Sequence, residues 1–179
     1  EELADAGHTI SGRRVWRLCS QARIVSVHAK KRGRAKKPGP PVHDDLCAVV
    51  DEKGRTRHEF NATAFNELWI GDITEHWTGE GKLYLCAFKD VFSNRIVGYS
   101  IDSRMKSRLA VTALNNAVAR RDVVTGCVVH TDRGSQFRSR KFVGALNRHH
   151  MVGSMGRVGA CGDNAAMESF FSLLQKNVL

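Results

Sequence analysis

Along most of the chain, apolar residues follow two alternating patterns: short continuous runs, and runs with helical spacing. The continuous runs are rich in β-branched residues and predict buried strands. The other runs repeat an apolar residue every three or four positions and predict amphipathic helices. The strands are predicted at about 67–74, 82–90, 95–101, 127–131 and 151–155, and the helices at 107–121, 139–150 and around Glu168. The order β-β-β-α-β-α-β-α places this part of the chain in the α/β class.

The first quarter of the chain differs in composition. A basic helix is predicted from Ser11 to about Val27, and a linker rich in Lys, Arg, Gly and Pro follows it. Ten of the 28 Lys and Arg residues lie between positions 6 and 43 with no acid among them, and the remaining 18 cations balance the 18 acids. The net charge of +10 therefore belongs to this segment, which indicates a polyanionic partner. A solvated, disordered tail is the alternative.

Composition narrows the class of protein further. A chain of 179 residues with 42% hydrophobic residues is large enough for one core domain and an appendage. The five cysteines are widely spaced and form no CxxC pair, which is typical of a reduced intracellular protein without a disulfide framework or zinc site. No apolar run has membrane length, and no signal peptide is visible.

Three acids from separate segments are candidates for chemistry. Asp132 stands where the apolar run 128–131 breaks into a polar turn, and Asp72 lies inside a second apolar run. A carboxylate in an apolar strand is costly unless it is paired, protonated or bound to a metal. Glu168 lies at the edge of the apolar stripe of the last predicted helix. Taken singly, such acids more often cap turns. Together they would suit Mg²⁺ or Mn²⁺, and two such ions promote phosphoryl transfer.

These motifs resemble the integrase-like catalytic core of bacterial insertion-sequence transposases, the DDE recombinases, and most closely the IS3 family. The spacing of 35 residues between Asp132 and Glu168 is the one for which this family is known. The resemblance runs from about Phe60 to the C-terminus. The matching segments are Asn66–Trp69, Asp72–Thr74, His130–Phe137, Gly162–Ala165 and Glu168–Phe171.

The resemblance implies a ribonuclease H-like fold, a mixed five-stranded sheet flanked by helices and preceded here by a basic helical or disordered arm. In that fold the strand of Asp72 lies beside the strand that ends at Asp132, and the last helix brings Glu168 to both. The resemblance also implies that these three acids are catalytic and hold two Mg²⁺ or Mn²⁺ ions. The implied reaction is DNA cleavage at an element end, followed by attack of the freed 3′-hydroxyl on another phosphodiester.

Three regions are expected along the chain. Residues 1–29 resemble the end of a helix-turn-helix DNA-binding segment, residues 30–58 form a basic linker, and residues 59–179 form the catalytic core. The chain ends eleven residues after Glu168, whereas the family continues with further helices. We therefore expect a chain truncated at both ends, with an uncovered apolar face on its last helix.

The implied partners are the DNA of the element ends and of the target, further copies of the chain, and a separate upstream subunit. No membrane is expected, and the implied location is the bacterial cytoplasm, on the nucleoid when DNA is bound. His130 either contacts phosphate or is buried. Lys176 is one position later than the basic residue that is frequent in the family. The predicted DNA contacts are Arg13, Arg14, Arg17, Lys30, Lys31, Arg32, Arg34, Lys36, Lys37, Arg133, Arg157, Asn164 and Lys176.

Two alternative functions remain open at this point. One is a ribonuclease H-type nuclease, which shares the fold and the metals but cleaves RNA–DNA hybrids. The other is an inactive transposase remnant that only binds DNA through its basic arm. The HTDRGSQF segment and the spacing of the last two acids favour the transposase.

Overall fold

A computed structural model describes Gly7 and residues 11–24, 39–156 and 165–177. The chain forms two compact units, residues 1–37 and 38–179. The first contains helix α1 (Gly12–Gln21), in which no side chain is buried. Its N-terminus is capped by the Ser11 hydroxyl, which accepts a hydrogen bond from the Arg14 amide at 3.3 Å.

Helix α1 is shorter than predicted because a left-handed residue closes it. Arg23 has a φ of +55°, and the Ile24 amide donates to the Cys19 carbonyl at 2.8 Å. This arrangement satisfies the last carbonyls of the helix and turns the chain away from it. The predicted continuation to Val27 enters residues outside the described part of the chain.

The described residues of the second unit form a small sheet, a large sheet and three helices. In the small sheet, β1 (Ala48–Val50) pairs antiparallel with β2 (Thr56–His58). The large sheet consists of β3 (Leu68–Thr78), β4 (Gly81–Asp90), β5 (Ile96–Asp102), β6 (Val128–Thr131) and β7 (Val152–Met155). The helices are α2 (Ser107–Val118), α3 (Arg140–Arg148) and α4 (Ala165–Asn177).

The large sheet is mixed, as the sequence predicts. Its strand order is β5-β4-β3-β6-β7. Strand β3 pairs antiparallel with β4 and parallel with β6, and β6 pairs parallel with β7. Strand β5 lies close to helix α2 because Gly98 has no side chain; a Cβ there would stand 2.4 Å from the Ala117 nitrogen. The five-stranded, ribonuclease H-like α/β architecture is confirmed.

The two faces of the large sheet carry separate apolar cores. On one face Trp69 and Phe88 are fully buried together with side chains of α2 and α3. On the other face Ile70 packs with Met167 and Phe171 of α4. Burying side chains of this size stabilises the fold by about 1.5–3 kcal/mol each. The expectation that the apolar face of the last helix is uncovered is therefore wrong, because the sheet itself covers it.

Residues 39–58, which the sequence predicts to be part of the linker, belong instead to the second compact unit. The Met155 amide donates to the Asp44 carbonyl at 3.1 Å, and the Leu46 amide donates to the Ser154 hydroxyl at 2.9 Å. These bonds fix the segment along the edge strand β7. The β1–β2 turn is closed by Asp51, whose carboxylate accepts hydrogen bonds from two amides of the turn. The unit that holds the sheet thus begins at residue 38 rather than 59.

Within the described residues, helices long and apolar enough to cross a membrane are absent.

Candidate catalytic site

Two of the three candidate acids stand at the same end of the sheet because of the parallel pairing of β3 and β6. The last paired positions of these strands are Gly71 and Thr131. Asp72 and Asp132 are the next residues on each strand. Helix α4 packs across the same face, with Met167 against Ile70, so Glu168 in its first turn lies on the side of the sheet that carries Asp72. The structure therefore places the three acids in one region.

Asp72 is half-buried, and its environment penalises the charged carboxylate. Its Oδ1 atom accepts a hydrogen bond from the Ile73 amide at 2.7 Å, which favours the charged form. Burial acts in the opposite direction and is the larger effect, and the negative charges of Asp132 and Glu168 add to it. Together they raise the pKa of Asp72 to about 7. This electrostatic coupling shows that the three acids are neighbours in the fold.

The turn after β6 holds Asp132 in a defined orientation. Its exposed carboxylate accepts a hydrogen bond through Oδ1 from the Gly134 amide at 2.9 Å. Glycine at position 134 leaves room for this contact, since a Cβ there would lie 2.8 Å from Asp132 Oδ1 and 3.2 Å from Gln136 Oε1 and would displace these side chains. Gln136 Nε2 donates to the Met105 carbonyl at 3.2 Å, which ties the turn to the segment before α2.

Arg133 and His130, which flank Asp132, are both engaged within the protein. Arg133 is half-buried, and its Nε donates to the Gly156 carbonyl at 2.8 Å, so it joins the turn to the end of β7. His130 is 1% exposed and shares a 2.8 Å hydrogen bond with Ser154 Oγ through Nδ1. Burial is the main reason that its pKa falls to about 4. Of the two alternatives for His130, the buried role is the one observed.

Sequence reasoning missed Cys86, which lies on β4 opposite Ile73 and packs in the core on the face of the sheet away from Asp72. The thiol is fully buried, and burial raises its pKa well above the usual value, with further contributions from the charges of Asp72 and Asp132. The thiol is therefore protonated and inert. Only the strand register identifies this neighbour, and no local motif in the sequence marks it.

The other predicted contact residues are divided between three parts of the chain. Glu168 and Lys176 are exposed at the two ends of α4. Arg13, Arg14 and Arg17 are exposed on α1 in the first unit. The remainder lie outside the described residues, namely Lys30, Lys31, Arg32, Arg34, Lys36, Lys37, Arg157 and Asn164.

The acids fit a hard divalent cation in kind, although they do not surround one point. Carboxylate oxygens are the ligands that Mg²⁺ and Mn²⁺ prefer. Burial, together with the repulsion of Asp132 and Glu168, raises the pKa of Asp72, and a bound cation would offset this penalty on the charged form. Within residues 39–156 and 165–177, however, no three His, Cys, Asp or Glu side chains are grouped closely enough to hold a metal ion.

Residues 62–161 match the model of the integrase core domain. The chain is 38% identical over 144 residues to the transposase InsF for insertion sequence IS3A of Escherichia coli strain K12, which covers 80% of this chain and 50% of that protein. It is 42% identical over 120 residues to the transposase for insertion sequence element IS904 of Lactococcus lactis, with coverages of 67% and 47%. The chain thus spans about half the length of the curated relatives it matches.

Solved structures of viral integrases share the fold. One is the simian T-cell lymphotropic virus intasome in complex with PP2A regulatory subunit B56 gamma, with a TM-score of 0.59, 19% identity, and coverage of 78% of this chain and 46% of that one. Another is the HTLV-2 integrase catalytic core domain in complex with magnesium, in a trimeric form. Its TM-score is 0.54 at 20% identity, and the match covers 65% of this chain and 71% of that one.

Proposed function

Because the chain belongs to the integrase core domain family, we propose that its second unit is the catalytic core of a DNA transposase. The reaction is metal-dependent cleavage of a DNA strand and transfer of that strand to a new phosphodiester. The reaction class is polynucleotidyl transfer without a covalent protein intermediate. The similarity to the IS3A and IS904 transposases favours an insertion sequence as the source of the DNA substrate.

The observation that carries this proposal is the convergence of three acids at the end of β3 and β6. Asp72 is held at a pKa of about 7 by burial and by the charges of Asp132 and Glu168. A structural role would not favour such a group, because burying like charges together destabilises the fold. Such strain is typical of a site that is completed by a positively charged ligand.

In the proposed site, Asp72, Asp132 and Glu168 hold two Mg²⁺ or Mn²⁺ ions. When bound, these ions activate the attacking oxygen and stabilise the leaving oxygen of the displacement. The contribution of the chain is to orient the carboxylates. The Ile73 amide fixes Asp72, and the Gly134 amide fixes Asp132. Glu168 projects from the first turn of α4, whose packing on Ile70 keeps it near the strands.

DNA is the proposed partner, both as the element end and as the target. The exposed arginines of α1 and the Lys/Arg-rich segment that follows it in the sequence would contact phosphates. Further copies of the chain would bring two ends together, and a separate subunit would supply upstream DNA-binding parts. We place the active protein in the bacterial cytoplasm, on the nucleoid when DNA is bound.

The test is a strand-cleavage assay with labelled duplex DNA that carries an element end, in Mg²⁺ or Mn²⁺. The parent protein should cleave, and Asp132→Asn should lose at least about 100-fold in rate, as expected when transition-state charge stabilisation is removed. Asp122→Asn changes an exposed acid in the loop after α2 and should cleave as the parent does. Cleavage confined to an RNA–DNA hybrid would instead identify a ribonuclease H. DNA binding without cleavage in the parent would identify a remnant.

A further inference from the structure

Beyond the carboxylates, β3 and β4 continue as a ribbon that no other strand of the described residues joins. Strand β6 pairs with β3 only as far as Gly71, and β5 pairs with β4 from Tyr84 onward. The pairs His76–Leu83, Trp77–Lys82 and Thr78–Gly81 therefore form a two-stranded arm at the carboxylate end of the sheet. Isolated two-stranded ribbons are marginally stable, so an extension of this kind needs a reason.

The arm carries an indole that the fold does not use. Trp77 is 75% exposed, whereas Trp69 on the same strand is fully buried. The Lys82 ammonium lies 4.9 Å from the centroid of the Trp77 ring, and Glu75 holds that ammonium at 3.1 Å and 3.2 Å. One face of the indole is thus covered by a fixed cation. An exposed aromatic ring with one fixed side is a ready surface for stacking.

The backbone of the arm is also held rigidly. The Thr78 hydroxyl donates to the Gly81 carbonyl at 2.9 Å and accepts a hydrogen bond from the Glu80 amide at 3.3 Å. Gly81 has a φ of +117°, which glycine adopts readily. A ring on a rigid turn loses little conformational freedom when a ligand stacks on it, and this favours binding.

The charges of the arm favour a nucleobase over a phosphate as the ligand. Glu75 neutralises Lys82, and Glu80 adds a further negative charge at the turn. These charges disfavour a direct phosphate contact at the turn itself, but stacking of a neutral base on an aromatic ring does not require net positive charge. Carboxylates also accept hydrogen bonds from the amino groups of bases.

From these observations we propose that Trp77 is a stacking site for an unpaired base of the DNA strand that runs through the carboxylate site. This inference rests on the proposed function, since it takes DNA as the substrate. Trp77 is five positions beyond Asp72, about 17 Å along an extended strand, and this odd separation places the two side chains on opposite faces of the ribbon. The single-stranded end would therefore reach the ring by passing round the edge of β3. At 3.4 Å per nucleotide, the stacked base lies within about five nucleotides of the phosphate at the carboxylates. The site would hold a frayed or overhanging end.

The test uses the emission of Trp77 in the full-length Trp16→Phe variant, in which Trp69 is the other, buried indole. The probes are two duplexes of equal charge, one blunt and one with a single-stranded overhang. The overhang duplex should quench the Trp77 emission several-fold more than the blunt duplex, and Trp16→Phe/Trp77→Phe should lose this quenching. Equal quenching by both duplexes, or no quenching by either, would overturn the inference. So would an equal loss of emission in the same titration carried out without DNA.

A second measurement compares the affinity of single-stranded DNA for Trp77→Thr and for Phe65→Ala, which removes an exposed aromatic ring at the opposite end of β3. Trp77→Thr should weaken binding by about tenfold, and Phe65→Ala should leave it unchanged. Thermal unfolding verifies that both variants fold. Unchanged affinity in Trp77→Thr would overturn the inference even if the protein cleaves DNA. Quenching in a parent that does not cleave would support the inference and reject the proposed function.

Discussion

Two carboxylates on neighbouring strands of the same sheet have opposite surroundings. Asp90, at the end of β4, is fully buried and accepts hydrogen bonds from the amides of Asn66 at 3.2 Å and Ser93 at 3.0 Å. The Ser93 hydroxyl also donates to it, and Arg121 lies 3.9 Å away. Asp72 lies on β3 three positions beyond the residue that pairs with Asp90, and it is less buried, yet two acids are its charged neighbours.

The comparison distinguishes Asp90, whose charge stabilises the fold, from Asp72, whose charge destabilises it. Donors and a cation surround Asp90, so its charge ties the start of β3 to the β4–β5 connection. The environment of Asp72 raises the free energy of its charged form, and removing that charge should relieve the fold. Burial alone does not distinguish the two residues. The sign of the neighbouring charges does, and it is the reason that we propose a cation site at Asp72 and not at Asp90.

The largest expected effect on the free energy of unfolding is at Asp90, whose carboxylate accepts several hydrogen bonds. Asp90→Ala leaves several buried donors without an acceptor and Arg121 without its partner, so we expect a loss of about 3 kcal/mol in the free energy of unfolding. Denaturation with urea measures this loss directly. A loss below about 1 kcal/mol would mean that water replaces the carboxylate and that the contrast with Asp72 is weaker than the contacts imply.

The next largest effect is at Asp72, where removing the carboxylate should increase the free energy of unfolding by an amount that depends on pH. The folded-state pKa of Asp72 is about 7, above the unfolded value of about 3.9. Its favourable contribution is therefore complete below pH 4 and is lost as the pH rises through 7. In chelator at pH 8, Asp72→Asn should be more stable than the parent by about 1–3 kcal/mol, and at pH 4 the two should be equal.

The same comparison can be sharpened with a metal ion and a control. Adding Mn²⁺ at pH 8 should reverse the order of stability, because only the parent retains all three carboxylates. Asp122→Asn, which removes an exposed charge elsewhere, should show neither effect. Thermal unfolding of the three proteins at both pH values provides the measurement. An Asp72→Asn variant that is less stable at pH 8 in chelator would show that Asp72 is a structural acid like Asp90.

The smallest effect concerns the turn that orients Asp132. Gly134→Ala places a Cβ about where it would contact the Asp132 carboxylate, at 2.8 Å from Oδ1. The carboxylate must move, so the stability loss should be about 1 kcal/mol. The affinity for Mn²⁺ should fall by roughly tenfold, as it does when the support of a ligand is disturbed. Gly144→Ala, on the exposed side of α3, is the control, because the Arg148 side chain at 3.8 Å is the nearest group to its Cβ. Equal Mn²⁺ affinity in both variants would mean that the turn does not set the ligand geometry.

The sequence was sufficient to predict the large sheet because most of its strands are continuous apolar runs. The apolar runs of β3 and β6 also identified Asp72 and Asp132 as candidates, because a carboxylate inside or just after such a run is unusual. The sequence was not sufficient to predict the β1–β2 hairpin. Those strands have three residues each, and Val50 is 66% exposed, so no apolar periodicity marks them. Long-range contacts with β7, rather than local preference, order that segment.

His130 illustrates a second limit of sequence reasoning. A histidine next to a candidate catalytic aspartate is compatible with phosphate contact or with burial, and the sequence left both open. The buried position of His130 depends on Phe60, whose ring lies 5.3 Å from the imidazole, and on Ser154 on the adjacent strand β7. Both partners are remote in sequence. The order of the elements followed from periodicity, whereas the partners of individual polar groups required the fold.

The central claim is that Asp72, Asp132 and Glu168 form a divalent-cation site, and calorimetric titration with Mn²⁺ tests it most directly. We predict that the parent binds Mn²⁺ at pH 7.5, that Asp132→Asn binds at least about tenfold more weakly, and that Asp122→Asn binds as the parent does. Equal binding in all three proteins, or binding in none of them, would contradict the claim that these acids assemble a metal site in this chain.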